Sequence, residues 1–200
     1  HQINEVRSAY QSLLVIYETH ISDLTETVLE LKKINDSDEN FKPVPLKLWK
    51  IPVCYDDDFG LDLDDMSQSN KMSKNDIIKL HTEAIYTVYF IGFLPGFLYL
   101  GGLDERLFTA RRATPRMQIH KGAVAIGGNQ TGVYPKESPG GWNIIGNSPI
   151  DFFNSKSERP CFAQAGDRIQ FYPVSMRAHR EIQILVDAKV YQIESEVGHD

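Results

Sequence analysis

The chain has 200 residues, 42% of them hydrophobic and 24% charged, the composition of an ordinary globular protein with room for one domain or two small ones. Its formal net charge of −6 argues against general nucleic-acid binding, which normally shows in the overall charge. No apolar run approaches the ~18 residues that cross a bilayer, so no membrane partner is expected. No signal-peptide pattern is visible, and because the first residue is His1 rather than Met the chain reads as a piece of a longer protein.

Ser12 to Tyr17 (SLLVIY) is a short β-branched run that predicts a buried strand. Leu24, Val28, Leu31 and Ile34 then recur at helical spacing, with Ser22 as the expected N-cap. Asn35 to Asn40 (NDSDEN) is polar and turn-prone, and is read as a linker. Leu46 to Tyr55 predicts a strand in which Pro52 indicates an edge position. The acidic stretch Asp56–Asp65 is read as a solvated loop, since the spacing of its acids is not that of a calcium-binding loop. Ser73 with Asp76 resembles a capping box that opens a short helix ending near His81. Glu83 to Phe93 predicts a strand. Beyond it strands and turns alternate, with strands expected at Ala123–Ile126, Gly132–Tyr134, Trp142–Gly146, Arg168–Tyr172 and Glu181–Val186, and no further helix. Cys54 and Cys161 are isolated, lack metal-ligand spacing and read as buried thiols, which fits a reducing cytoplasm.

Chemistry concentrates between Ile91 and Gly146, which holds eleven of the fourteen glycines. From Arg106 to Lys136 there are six Arg or Lys and no Asp or Glu. A local cationic surface on an acidic chain points to one small anionic ligand or one acidic partner patch. Arg111, Arg112 and Arg116 lie within six residues, and guanidinium forks match carboxylate and phosphate. In an extended run Arg112 and Arg116 share a face while Arg111 points to the other. Gln130, Thr131 and Tyr134 supply an amide, a hydroxyl and a phenol, which either read a lactam or carboxamide or hold a β-turn through their own side chains. Trp142 is either a core aromatic or a stacking platform. His81 is either a helix-dipole partner or a proton-transfer group, and His120 an exposed neighbour of Lys121. No phosphate loop, nucleophile elbow, metalloprotease helix or paired-cysteine motif occurs, so no metal site is expected and any ATP handling needs another subunit.

GFLPGFLYLGGL, RRATPR, KGAVAIGGNQTGVYP and SPGGWNIIG closely resemble the signature of the KipI / allophanate hydrolase subunit 1 family, which is associated with the B component of bacterial ATP-dependent 5-oxoprolinase. IPVCYDDDFGLDL, the helix and strand leading into the core, and AGDRIQFYPV extend the likeness over roughly Ile3 to Val174. His120 departs from the pattern, which usually has Pro there, and the tail after Val174 matches nothing. The resemblance implies an α+β chain: a small α/β N-terminal lobe over residues 1–38, lacking an earlier strand and helix, followed by a cyclophilin-like β-barrel over 44–200. It implies a hydrolase subunit, inactive alone, that converts 5-oxo-L-proline to L-glutamate with ATP, a companion C subunit and an A subunit. Arg116, Gln130 and Tyr134 are the foremost expected substrate-facing residues, followed by Arg112, Lys121 and Trp142. Prolyl-isomerase activity is not expected. The alternatives are a module that inhibits a sporulation histidine kinase through an apolar patch of Phe93, Leu94, Phe97 and Leu98, or a urea-carboxylase carboxyltransferase-like module using carboxybiotin. The basic stretch and the adjoining aromatic GFLPGFLYL segment give one face both an anion site and an apolar docking surface.

Overall fold

The computed structural model describes residues 2–10, 12–37 and 45–197. It divides into two compact units, His1–Pro45 and Leu46–Asp200. The positions where the two expected domains end and begin, 38 and 44, lie outside the described residues, as does the second half of the expected linker (38–40).

In the first unit, strand β1 (Ile3–Ser8) pairs antiparallel with β2 (Leu13–Tyr17), followed by helix α1 (Leu24–Asn35). The helix cap is Asp23 rather than Ser22: the Asp23 carboxylate accepts from the Glu26 backbone N–H at 2.9 Å, and Lys32 and Lys33 complement the dipole at the other end. β1 is a strand that the apolar pattern does not reveal, because Asn4, Glu5, Arg7 and Ser8 leave only Ile3 and Val6 as β formers.

The second unit is built on β3 (Lys47–Val53), α2 (Leu63–Asn70), α3 (Lys74–Glu83), β4 (Ile85–Ile91), β5 (Leu98–Gly101), β6 (Arg116–Ile119), β7 (Ala123–Gly127), β8 (Gln130–Val133), β9 (Ser138–Gly140), β10 (Asn143–Asn147), β11 (Arg168–Pro173), α4 (Met176–Asp187) and β12 (Ser195–Val197). Eight strands form one mixed sheet in the order β10-β7-β8-β5-β4-β11-β3-β12, with β11 and β3 parallel and the other pairs antiparallel; β6 and β9 form a separate pair. Among the described residues the sheet does not close into the expected barrel. β10 meets the far end of β3 only through a bridge in which Cys54 and Asn147 exchange backbone hydrogen bonds of 2.8 and 2.9 Å. Lys50 and Cys54 donate from the same edge of β3, the first to Glu194 and the second to Asn147. Pro52 sits between them and has no N–H to donate, so the ladder breaks there. The edge position expected for Pro52 is thus correct locally, beyond the reach of β12.

β7 explains how one sheet serves two cores. Val124 and Ile126 belong to the main core with Ile51, Leu100, Tyr86 and Phe171, while Ala123 and Ala125 face a smaller cluster with Phe97, Tyr134 and Trp142. The small alanines leave space for the rings.

Two further expectations are corrected. Glu181–Val186 is helical, inside α4. Ile182, Ile184 and Val186 alternate like a strand, yet Met176, His179, Ile182 and Val186 recur at helical spacing, and the Ser175 hydroxyl caps the helix by accepting from the Ala178 N–H at 3.2 Å. Among the described residues the tail after Val174 therefore holds a helix and the short strand β12. The acidic stretch is not wholly a solvated loop, since it runs into α2 and buries Asp62 completely. Cys54 and Cys161 are free thiols whose pKa values burial pushes up. Among the described residues no helix is long and apolar enough to cross a membrane.

Candidate functional site

The glycine-rich stretch positions a cluster of rings against a short basic segment. Gly127 lies where a Cβ would come within 2.6 Å of the Trp142 indole, and a Cβ on Gly140 would run into the Tyr134 hydroxyl. Glycine is thus required at both places for the rings to pack against backbone. Phe97 meets Tyr134 and Trp142 edge-on, with centroids 5.2 and 5.4 Å away. Tyr99 and Phe93 extend this wall.

The basic segment is held over the wall by its backbone. Thr109 and Gly128 exchange backbone hydrogen bonds of 3.1 and 2.7 Å, the Arg112 N–H donates to the Gly141 carbonyl at 2.7 Å, and the Asn143 side-chain amide donates to the Ala110 carbonyl at 2.9 Å. Arg111 lies between these anchors, its guanidinium carbon 5.6 Å from the centre of the Trp142 ring. The result is an open cleft of about 260 Å³ with Tyr99, Tyr134, Trp142 and Phe93 as aromatic surface, prolines 115 and 139 at its sides, and Arg111 as its cation. Phe93 is 62% exposed at the rim and holds φ at +65°, a left-handed conformation that bulky side chains rarely adopt. Such local strain clusters at ligand sites. Burial raises the Tyr134 pKa, against the opposing pull of the Trp142 backbone N–H and the Arg111 charge, so the phenol is neutral and able to donate.

The residues anticipated as substrate-facing separate into four groups. Tyr134 and Trp142 line the cleft. Arg112 and Arg116 are instead bound to Asp62, through contacts of 2.6 Å from Arg112 and 2.7 and 2.8 Å from Arg116. Arg116 also borders a smaller cavity of about 90 Å³ with Gln118 and His120. Lys121 pairs with Asp151, and Gln130 opens β8 opposite Gly127, outside the cleft lining. Arg111 parts from Arg112 and Arg116 as expected, although bends at 113 and 114 interrupt the extended run on which that expectation rests. Asp62 was hidden in sequence among five other aspartates between positions 56 and 65.

His81 does not reach the cleft. It is fully buried, stacked on Phe171 at 4.7 Å. The Thr131 hydroxyl donates to the Ala125 carbonyl, so its oxygen accepts from His81 Nε2–H at 2.9 Å, and Nδ1 is left to accept from the Tyr55 hydroxyl at 2.8 Å. This network satisfies a neutral imidazole, and burial away from water disfavours a second proton. Burial holds the pKa near 3, against an ordinary value of 6.5. The unfolded chain therefore binds a proton that the folded chain refuses. The stabilisation is complete above pH 6.5 and is lost as pH falls toward 3, at roughly 1.4 kcal/mol per unit. A His81→Gln variant is expected to lose less stability than the parent between pH 6.5 and 4.5 in thermal melts; parallel losses would contradict this role.

The apolar patch proposed for kinase docking does not form as a surface, because Phe97 and Leu98 are 1% and 0% exposed. Among the described residues no group of three His, Cys, Asp or Glu is placed to hold a metal ion.

A family model described as carboxyltransferase domain, subdomain C and D, matches residues 1–163. The chain is 42% identical to the B component of the Bacillus subtilis 5-oxoprolinase over 129 residues, 64% of this chain and 54% of that one. It is also 42% identical to the B component of the Haemophilus influenzae 5-oxoprolinase over 168 residues, 74% of this chain and 79% of that one. The chain therefore spans about half of the first relative and four-fifths of the second. Among solved structures, a conserved uncharacterized protein of Pyrococcus horikoshii aligns with a TM-score of 0.64 at 38% identity, covering 89% of this chain and 82% of that one. The urea amidolyase of K. lactis aligns with a TM-score of 0.80 over 99% of this chain and 14% of that one; at 21% identity it speaks for the fold alone.

Proposed function

This chain belongs to the family of carboxyltransferase domains, subdomains C and D, and from that premise we propose that it is the B component of an ATP-dependent 5-oxoprolinase. In this reading it converts 5-oxo-L-proline to L-glutamate in the cytoplasm together with an A and a C subunit. The relatives at 42% identity that carry that name support it. The observation that carries it to a site is Arg111 stacked on Trp142 in an aromatic cleft. The substrate is a flat five-membered lactam bearing one carboxylate. Arg111 is the group that pairs with the carboxylate, Trp142 and Tyr99 take the ring, and the neutral Tyr134 hydroxyl is the polar group nearest the lactam. Activation of the lactam by ATP transfers a phosphoryl group to its oxygen with release of ADP, and the negative charge that arrives there is of the kind preorganised donors stabilise. No nucleotide motif occurs in this chain, so the ATP phosphates are assigned to the partner subunits.

The test is a coupled ADP-release assay across subunit combinations. The chain alone is expected to be folded and inactive, with 5-oxoproline-dependent ATP hydrolysis appearing only when C-type and A-type proteins are added. Turnover by the chain alone, or no turnover in any combination, would contradict the proposal.

A further inference from the structure

Asp62 is the most deeply buried carboxylate near the cleft, and its geometry is unusual for its place in the fold. It stands at the N-cap of α2, where an aspartate ordinarily accepts from the first turn of the helix, yet its side chain makes no capping hydrogen bond. It is turned instead toward the basic segment. One oxygen accepts from Arg112 at 2.6 Å and from Arg116 at 2.7 Å; the other accepts from Arg116 at 2.8 Å and from the Ile144 backbone N–H at 2.6 Å. The Asp62 N–H in turn donates to the Ile144 carbonyl at 2.8 Å.

A single carboxylate thus holds both ends of the segment 112–116 and the strand that begins just after Trp142. The two walls that meet at the Arg111–Trp142 stack are registered through it. It also occupies the two guanidiniums that would otherwise compete with Arg111 for an anionic ligand. We propose that Asp62 is a positioning residue for ligand binding: it withholds Arg112 and Arg116 from the ligand and sets Arg111 over Trp142. This rests on the reading that the cleft takes the carboxylate of 5-oxoproline.

Two readouts separate the inference from that reading. The first needs no ligand. In the parent protein the Arg111 side-chain N–H resonance is expected to carry an upfield ring-current shift from Trp142, absent in Trp142→Leu. In Asp62→Asn, which retains an acceptor for Ile144 but lacks the charge that binds both arginines, that shift should decrease measurably while the backbone anchors at Thr109, Ala110 and Arg112 persist. The second is the dissociation constant for 5-oxo-L-proline in the parent, Asp62→Asn, Arg111→Ala and the double variant. Each single change is expected to weaken binding about tenfold, the loss that accompanies one charge-assisted contact. Because Asp62 acts through Arg111, the double variant should bind no more weakly than Arg111→Ala. An unchanged ring-current shift in Asp62→Asn, or losses that multiply to about a hundredfold, would overturn the proposal. If Asp62→Asn does not fold, Arg112→Ala keeps the Asp62–Arg116 pair and the backbone anchor to Gly141, removes only the side-chain tie to Asp62 beside Arg111, and should show the same pattern at smaller size. If the parent does not bind 5-oxo-L-proline, the substrate reading fails and the ring-current comparison still decides the role of Asp62.

Discussion

Asp62→Ala is expected to lower the unfolding free energy by about 3 kcal/mol, the low end of the range for breaking a buried ion pair. The value sits there because the two arginine side chains remain 34% and 26% exposed and are rehydrated when their partner goes, whereas Asp62 is only 1% exposed. For a chain of this length that is a fall in Tm of roughly 6–12 °C. Four acceptor contacts end together, and the Ile144 N–H loses its partner. Replacing the surface acid Asp65, whose oxygen is 3.6 Å from Arg112 and whose side chain is 74% exposed, is expected to change Tm by only a degree or two. Equal losses for the two variants in a calorimetric comparison would show that Asp62 is no more than a surface charge.

The second large effect is functional. In the assembled enzyme Arg111→Ala should reduce kcat/KM for 5-oxo-L-proline by about 10- to 100-fold, corresponding to the loss of one or two charge-assisted hydrogen bonds to the carboxylate. Most of the change should appear in KM, because the carboxylate is not the reacting group and is held equally in ground state and transition state. Thermal stability should hardly move, since an exposed cation–π contact contributes roughly 0.5–1 kcal/mol. Arg111→Lys should recover only part of the loss, as the ammonium lacks the planar fork and the stacking surface. Unaltered kinetics in Arg111→Ala would remove the cleft from the mechanism.

How much of this was readable beforehand depends on how local each signal is. β7, β10 and β11 announce themselves because their apolar residues are contiguous or alternate without interruption. α3 does so through Ser73 and Asp76, three residues apart, whose cap is made within the segment itself. β6 and β9 escape detection: they are three or four residues long, and Met117 and Gln118 of β6 and Pro139 of β9 face solvent, so neither carries a buried-face pattern. α4 is disguised by an alternation within its last turns. The division of the arginines coincides with the alternation expected of an extended run, although the chain bends at 113 and 114 between Arg112 and Arg116. The reason for it is not legible, because Asp62 lies 50 and 54 residues away from its two partners in an acid-rich stretch that looks solvated. His81 is similar. Its role is fixed by Tyr55 and Thr131, 26 and 50 residues distant, and no nearby residue signals complete burial.

The measurement that bears most directly on the central claim is a structure of the protein with 5-oxo-L-proline bound. The predicted result is the ligand carboxylate on the Arg111 guanidinium and its ring against Trp142, with Arg112 and Arg116 still on Asp62. Ligand in the smaller cavity beside Arg116 and His120, or against Gln130, with the cleft empty, would contradict it.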